Sequence, residues 1–248
     1  MTLEISREEL KEGIESSINV IKQTKSRWGR IIPKRIPSAY YRLGLYSRGI
    51  AIYNLLLGNK QEALEWFRKS AKYFIKSVEQ GRDKYKKWEG EAGSCSDAFY
   101  MSILSRDREL LKKAMELTFG IHPDYPNRFP DPAGGYYCLM ALSKKLVGDV
   151  ESAKHFIEKA KTARKHKGFE DFENGQILFI EGIIREDEKL CLQGAKKLSE
   201  YHSKKPQSMA DDKLVNIRLT ALLLIAKRRN IDLKLDNEYI PKTLLEDD

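Results

Sequence analysis

Leu55-Leu56-Leu57-Gly58-Asn59-Lys60-Gln61-Glu62-Ala63-Leu64 and Lys145-Leu146-Val147-Gly148-Asp149-Val150-Glu151-Ser152-Ala153 share one grammar. An apolar run stops at Gly, an Asn or Asp follows, and Ala stands four residues further on in a newly charged stretch. Gly suits the left-handed residue that ends a helix, and the Asn or Asp side chain offers an oxygen to the free N–H groups that open the next one. Two more breaks, Ser105-Arg106-Asp107-Arg108-Glu109 and Arg185-Glu186-Asp187-Glu188, divide apolar from charged stretches in the same way. Successive breaks lie about 40 residues apart, in the range of helix-pair repeats of the tetratricopeptide (~34) and HEAT (~40 to 47) types. The expected fold is all-α, a solenoid-like, tetratricopeptide-like stack of antiparallel helical hairpins with an extended C-terminal tail.

Apolar spacing of three and four residues places the helices around those breaks. A first helix is expected from Arg7 to about Lys25, opened by the capping-box pattern Ser6-Arg7-Glu8-Glu9. Trp28 to Pro37 reads as a basic connector because Pro33 and Pro37 interrupt it. Further helices are expected over Tyr40–Leu57, Gln61–Glu79, Ala92–Ser105, Arg108–Thr118, Gly135–Val147, Val150–Lys167, Asp171–Arg185, Glu188–Tyr201 and Ser208–Arg229. Gly120 to Gly135 carries four of the chain's 8 prolines and reads as its longest irregular segment. One domain spanning 1–248 is expected, with a subdivision, if any, near 120–135. Ile231 to Leu245 is expected to lie extended across the last hairpin.

Composition narrows the function. With 248 residues and 41% apolar content, the chain can bury a continuous core. The longest apolar run, Leu219 to Ala226, is far short of the ~20 residues that span a bilayer, so no membrane partner is expected. No secretory leader pattern opens the chain, and the cytoplasm is the expected compartment. Three scattered cysteines, Cys95, Cys138 and Cys191, fit buried apolar positions better than a disulfide or zinc framework.

The charge is +9, and its placement matters more than its size. Between Ser16 and Gln61 there is no Asp or Glu, whereas Lys22, Lys25, Arg27, Arg30, Lys34, Arg35, Arg42, Arg48 and Lys60 supply nine positive charges, the entire excess. That segment is a candidate face for an acidic partner, and its candidate binding residues are Arg27, Trp28, Arg30, Lys34, Arg35, Arg42 and Arg48. A solvated basic loop explains the same residues as well. Trp28, Tyr40, Tyr41 and Tyr46 interleave with the cations as in single-strand nucleic-acid grooves, yet the tyrosines fall at helical spacing and belong in part to a core. Only Trp28, in the connector, is expected to be open for stacking.

Catalytic chemistry is thinly supplied. His122, His155, His166 and His202 are dispersed, and Glu151, His155 and Glu158 form the one helix-spaced ligand set, which on a Lys-rich helix reads as a salt-bridging face. Gly134-Gly135 lacks the Lys-Ser/Thr ending of a phosphate loop. No hydrolase or zinc motif is present, so no catalytic residue, metal or cofactor is expected.

The C-terminal stretch, Asn216-Ile217-Arg218-Leu219-Thr220-Ala221-Leu222-Leu223-Leu224-Ile225-Ala226-Lys227-Arg228-Arg229-Asn230-Ile231-Asp232-Leu233-Lys234-Leu235-Asp236-Asn237-Glu238-Tyr239-Ile240-Pro241-Lys242-Thr243-Leu244-Leu245, resembles the end of the immunity protein 49 family. The resemblance rests on Ala226, Arg228, Arg229, Asp236, Tyr239, Pro241, Leu244 and Leu245, with the charged helix Asp187 to His202 before them. It covers the C-terminal half. It implies an all-helical, non-enzymatic immunity protein of a polymorphic toxin system that binds and blocks a cognate toxin. A basic chain does not mimic nucleic acid, so a toxin or other protein with an acidic surface is the partner expected. A basic RNA- or DNA-binding protein, contacting nucleic acid only weakly, is the second reading, and a hydrolase with residues converging only in space is the third.

Overall fold

A computed structural model describes residues 5–85, 88–165, 167–204 and 213–246. The described residues form helices and no strands. Helix α1 (Arg7–Ser26) is followed by two short 3-10 turns and then by α2 (Ile36–Leu56), α3 (Lys60–Lys84), α4 (Glu91–Leu104) and α5 (Arg108–Phe119). The short α6 (Tyr125–Arg128) precedes α7 (Ala133–Leu146), α8 (Val150–Thr162), α9 (Glu170–Arg185), α10 (Glu188–Lys204), α11 (Ile217–Arg228) and α12 (Lys242–Leu245). Four hairpins, α2/α3, α4/α5, α7/α8 and α9/α10, stack on one another. One apolar core runs through all of them, from Ala51 to Leu244.

All four expected breaks are hairpin turns, and each contains a left-handed residue: Gly58 (φ 84°), Arg106 (φ 58°), Gly148 (φ 87°) and Glu186 (φ 58°). At Gly58 the amide donates to Leu55 O at 3.0 Å while Asn59 N donates to Asn54 O at 2.8 Å, the paired bonds that close a Schellman terminus. Gly148 and Asp149 repeat it onto Lys145 O and Lys144 O. Glycine tolerates this conformation freely, whereas Arg106 and Glu186 carry a side chain into it. Asp107, Asp149 and Asp187 then cap α5, α8 and α10, with side-chain oxygens 3.0–3.2 Å from Leu110 N, Ser152 N and Leu190 N. Asn59 differs from expectation. Its side chain makes no cap bond, and its amide donates to Asn54 Oδ1 at 3.2 Å instead.

Several boundaries shift for physical reasons. Pro37 sits inside the first turn of α2, where a missing N–H leaves no bond unmade. Helix α3 continues through Gly81 to Lys84, and the Trp88 ring packs into the space that a Cβ on that glycine would fill. The proline-rich segment contains α6, and Gly134-Gly135 lies in the first turn of α7. Helix α8 ends at Thr162, and α11 begins at Ile217; the earlier part of the expected last helix, 208–212, lies outside the described residues.

The last segment does more than cross the last hairpin. Helix α11 is buried from Leu219 to Ala226 and packs against α4, α9 and α10. Beyond it the tail reaches back to the second hairpin's turn: Arg106 Nη2 donates to Leu244 O at 3.1 Å and Glu246 O at 2.6 Å. Lys227 Nζ donates to Leu245 O at 2.7 Å.

Candidate functional site

The basic N-terminal segment forms a layer of its own beside the main core. Leu10, Ile14, Ile18 and Ile21 are the apolar stripe of α1, and Ile14, Ile18 and Ile21 join Leu43, Tyr46 and Ile50 of α2 in a second, smaller cluster. The capping box forms as expected, with Glu9 N donating to Ser6 Oγ at 3.2 Å and Ser6 N to Glu9 Oε2 at 2.7 Å. Those bonds hold the Glu9 carboxyl below its ordinary pKa, the Ser6 backbone contributing most. Gly13 faces Tyr53 while Trp28 meets Tyr40 with ring centroids 4.6 Å apart, so α1 runs antiparallel to α2. In turn Ser70 Oγ donates to Gly44 O at 2.8 Å and Ser77 Oγ to Pro37 O at 2.9 Å, fixing α3 antiparallel to α2 and therefore parallel to α1.

Of the seven candidate residues, Arg27, Arg30, Lys34, Arg35 and Arg42 are exposed. Trp28 is not an open stacking platform: it is half-buried against Tyr40. Arg48 is set apart from the exposed cations because its position on α2 turns inward, leaving it 8% exposed. There its charge acts on Tyr41, whose hydroxyl donates to Asp97 Oδ2 at 2.9 Å. The Asp97 charge, together with burial, drives the Tyr41 pKa far above its ordinary value, and Arg48 and Arg218 oppose the rise. Arg48 is thus part of the interior electrostatics rather than of an open surface.

The tertiary structure adds cations that the one-dimensional reading passed over. Lys69, Lys72 and Lys76 of α3 are exposed at positions three and four apart, one helical face. Lys69 Nζ stands 3.8 Å above the Trp66 ring, and Lys76 Nζ is 5.7 Å from the Tyr40 ring. Lys25 Nζ, from α1, lies 5.6 Å from the Tyr73 ring. The i, i+3, i+7 spacing of the three lysines was legible, but their neighbourhood with α1 was not.

Glu151 and Glu158 of α8 each pair with a lysine at 2.8 Å, Lys154 and Lys161, and His155 sits beside the Phe156 ring. No group of three or more metal-ligating side chains gathers among the described residues; His166 lies outside them. A cleft of about 240 Å³ opens between α4, α7, α9 and α11, walled by Ser96, Tyr136, Phe172 and Gln176. A smaller one, about 170 Å³, lies beside Arg82, Trp88, His122 and Arg128. Its two arginines are already paired, Arg82 with Glu91 at 2.6 Å and Arg128 with Asp124 at 2.8 Å. Cys95, Cys138 and Cys191 are free thiols without exposure, and burial pushes the pKa of each up to about 12.

The C-terminal residues that carried the sequence resemblance form a clamp. Asn216 N donates to Tyr239 O at 2.8 Å, and the Tyr239 ring lies 4.7 Å from that of His202 on α10. Arg229 Nη2 donates to Lys145 O at 3.2 Å, and Leu244 is wholly buried. Compared with known families, residues 58–244 match the model described as immunity protein 49, which takes in most of the chain and all of those C-terminal residues but Leu245. The chain belongs to the immunity protein 49 family. The match extends upstream of the C-terminal half, through α3. It leaves out α1, the connector and α2, and with them all but one of the segment's basic residues. Comparison with curated proteins finds no match, and neither does comparison with solved structures. An immunity protein family works in general by binding a toxin rather than by catalysis. None of the described helices is long and apolar enough to cross a membrane.

Proposed function

We propose that this member of the immunity protein 49 family is a non-enzymatic protein that neutralises a cognate toxin in the cytoplasm by occupying part of its surface. The observation that carries the reading is the family match over residues 58–244. The charge distribution supports an acidic contact surface on the toxin, met by Arg27, Arg30, Lys34, Arg35 and Arg42 of the N-terminal layer, since complementary potentials speed encounter and select partners. Nucleic acid is the competing partner for a basic patch. Trp28 argues against it, because one ring face packs on Tyr40 and base stacking requires open rings.

The test is to sequence the genes on either side of this one and to co-express this protein with the product of any toxin gene found there. Cells producing the toxin grow when this protein is present and die when it is absent. Growth arrest despite abundant folded protein refutes the reading, as does tight binding of a defined RNA or DNA at physiological salt in the absence of any protein partner.

A further inference from the structure

The N-terminal layer is electrically polarised, because α1 and α3 each carry acids early and lysines later and the tertiary structure sets the two gradients side by side. Helices α1 and α3 run parallel, so their first turns share one end of the layer and their later turns share the other. At the first end Glu8, Glu9, Glu12 and Glu15 of α1 and Glu62 and Glu65 of α3 outnumber the cations that share those turns, Arg7, Lys11 and Lys60. Beyond them lie exposed cations: Lys22 and Lys25 in the last turns of α1, the connector cations, and Lys69, Lys72 and Lys76 along the middle of α3, followed on that helix by Glu79 and Asp83. Tyr85, just past α3, ties the connector to this end by donating its hydroxyl to the Lys34 carbonyl.

Aromatic rings hold the lysines in place. Trp28, Tyr40 and Tyr73 form a half-buried row, with centroids 4.6 Å and 6.5 Å apart, and Trp66 borders the same small cluster. Lys69 lies over Trp66, Lys76 by Tyr40 and Lys25 by Tyr73. An ammonium over a ring is attracted by the ring's negative face, which biases a flexible side chain toward one position. Trp66, Tyr40 and Tyr73 each thus already have an ammonium group within about 6 Å, and Trp28 meets Tyr40. A pre-positioned set of ammonium groups, by contrast, suits carboxylates, since part of the ordering cost of binding is met before the partner arrives.

We infer that the ring-held lysines Lys25, Lys69 and Lys76, with Lys72 between them on α3, form the docking face for an acidic protein surface. This rests on the toxin-neutralising reading and deepens it by assigning separate tasks. The lysine charge steers encounter, and the rings prolong the complex by keeping the lysines ordered. The footprint includes α3, inside the residues matched by the family, and extends onto α1, outside them.

Binding of purified full-length protein to the toxin that co-expression identifies, in an inactivated form, is followed by biolayer interferometry at several salt concentrations. The charge-reversed K69E/K72E/K76E variant is expected to associate at least about tenfold more slowly at low salt, with a flatter salt dependence. Tyr73→Leu keeps the net charge and the apolar contact but removes the ring under Lys25. It is expected to associate normally and to dissociate about fivefold to tenfold faster. A control reversal on α10, K189E/K196E/K197E, leaves both rates within about twofold of wild type. Circular dichroism melts confirm that each variant is folded. Wild-type rates for K69E/K72E/K76E overturn the docking face while leaving toxin neutralisation standing. Failure of the wild-type protein itself to bind or neutralise overturns both. Tight wild-type binding to an oligothymidylate at physiological salt, abolished in the same triple variant, assigns the face to nucleic acid and overturns the inference.

Discussion

Adding one methyl group at Gly194 should destabilise this protein, although the same change at Gly93 should stabilise it. Both residues are helical, Gly194 in α10 and Gly93 in α4. Replacing a helical glycine with alanine is favourable by about 1 kcal/mol on backbone grounds alone. At Gly93 nothing lies within 4 Å of a built Cβ, so most of that gain is realised, about 0.5–1 kcal/mol. At Gly194 the Cβ would stand 2.7 Å from Gly175 O and 2.8 Å from Phe179 Cα of α9. These are backbone atoms, which cannot rotate away, so the helices must separate. Their seam is fixed elsewhere too, because a Cβ on Gly182 would lie 2.6 Å from Cys191 N and Sγ. Overpacking of this kind costs about 1–3 kcal/mol and more where no side chain can yield, which outweighs the propensity gain. Gly194→Ala is expected to lower stability by about 2 kcal/mol, about 4–8 °C in melting temperature for a chain of this size. Urea unfolding followed by circular dichroism measures both variants. A Gly194→Ala protein as stable as wild type would refute the close approach of α9 and α10.

Three further outcomes are expected. Gln176 Nε2 donates to the buried Tyr100 hydroxyl at 2.8 Å, so Tyr100→Phe strands that donor and should cost about 1–2 kcal/mol in urea unfolding. The Asp149 carboxyl is held below its ordinary pKa first by the Ser152 hydroxyl and then by Lys144, so its contribution to stability is full above the unfolded value near pH ~4 and fades as pH falls through the folded value. Acid unfolding of Asp149→Asn should accordingly show a weaker pH dependence on that side than wild type. Burial raises the Cys95 and Cys138 thiols to about 12, so ionisation of the unfolded thiols drains stability as pH climbs from about 9 toward 12. In keeping with this, a disulfide-exchange dye at pH 8 should react with no thiol of the native protein and with all three after unfolding in guanidinium.

What the sequence determined was local. Gly58-Asn59 and Gly148-Asp149 announced two hairpin turns through residues whose effect is confined to a turn or two, and Asp107 and Asp187 marked the others. Apolar periodicity placed the helices, and the C-terminal stretch from Ala226 to Leu245 carried the family. What only the tertiary structure decided was which distant segments meet. The left-handed residues at Arg106 and Glu186 could not be read, because neither side chain favours that conformation; the packed hairpins on either side impose it. The Asn59 side chain is turned toward α2, where its amide donates to Asn54 Oδ1, and its own oxygen, the atom a cap uses as acceptor, takes no N–H of α3. Arg48 belonged to a basic run in the sequence and to the interior in space, since a helix buries one side of such a run and exposes the other. Lys25 and Tyr73 are separated by most of two helices, and they meet only because α2 turns the chain back so that α3 runs parallel to α1. Helix periods and caps depend on neighbours within about four residues, but a surface for a partner depends on the sum of every turn between its parts.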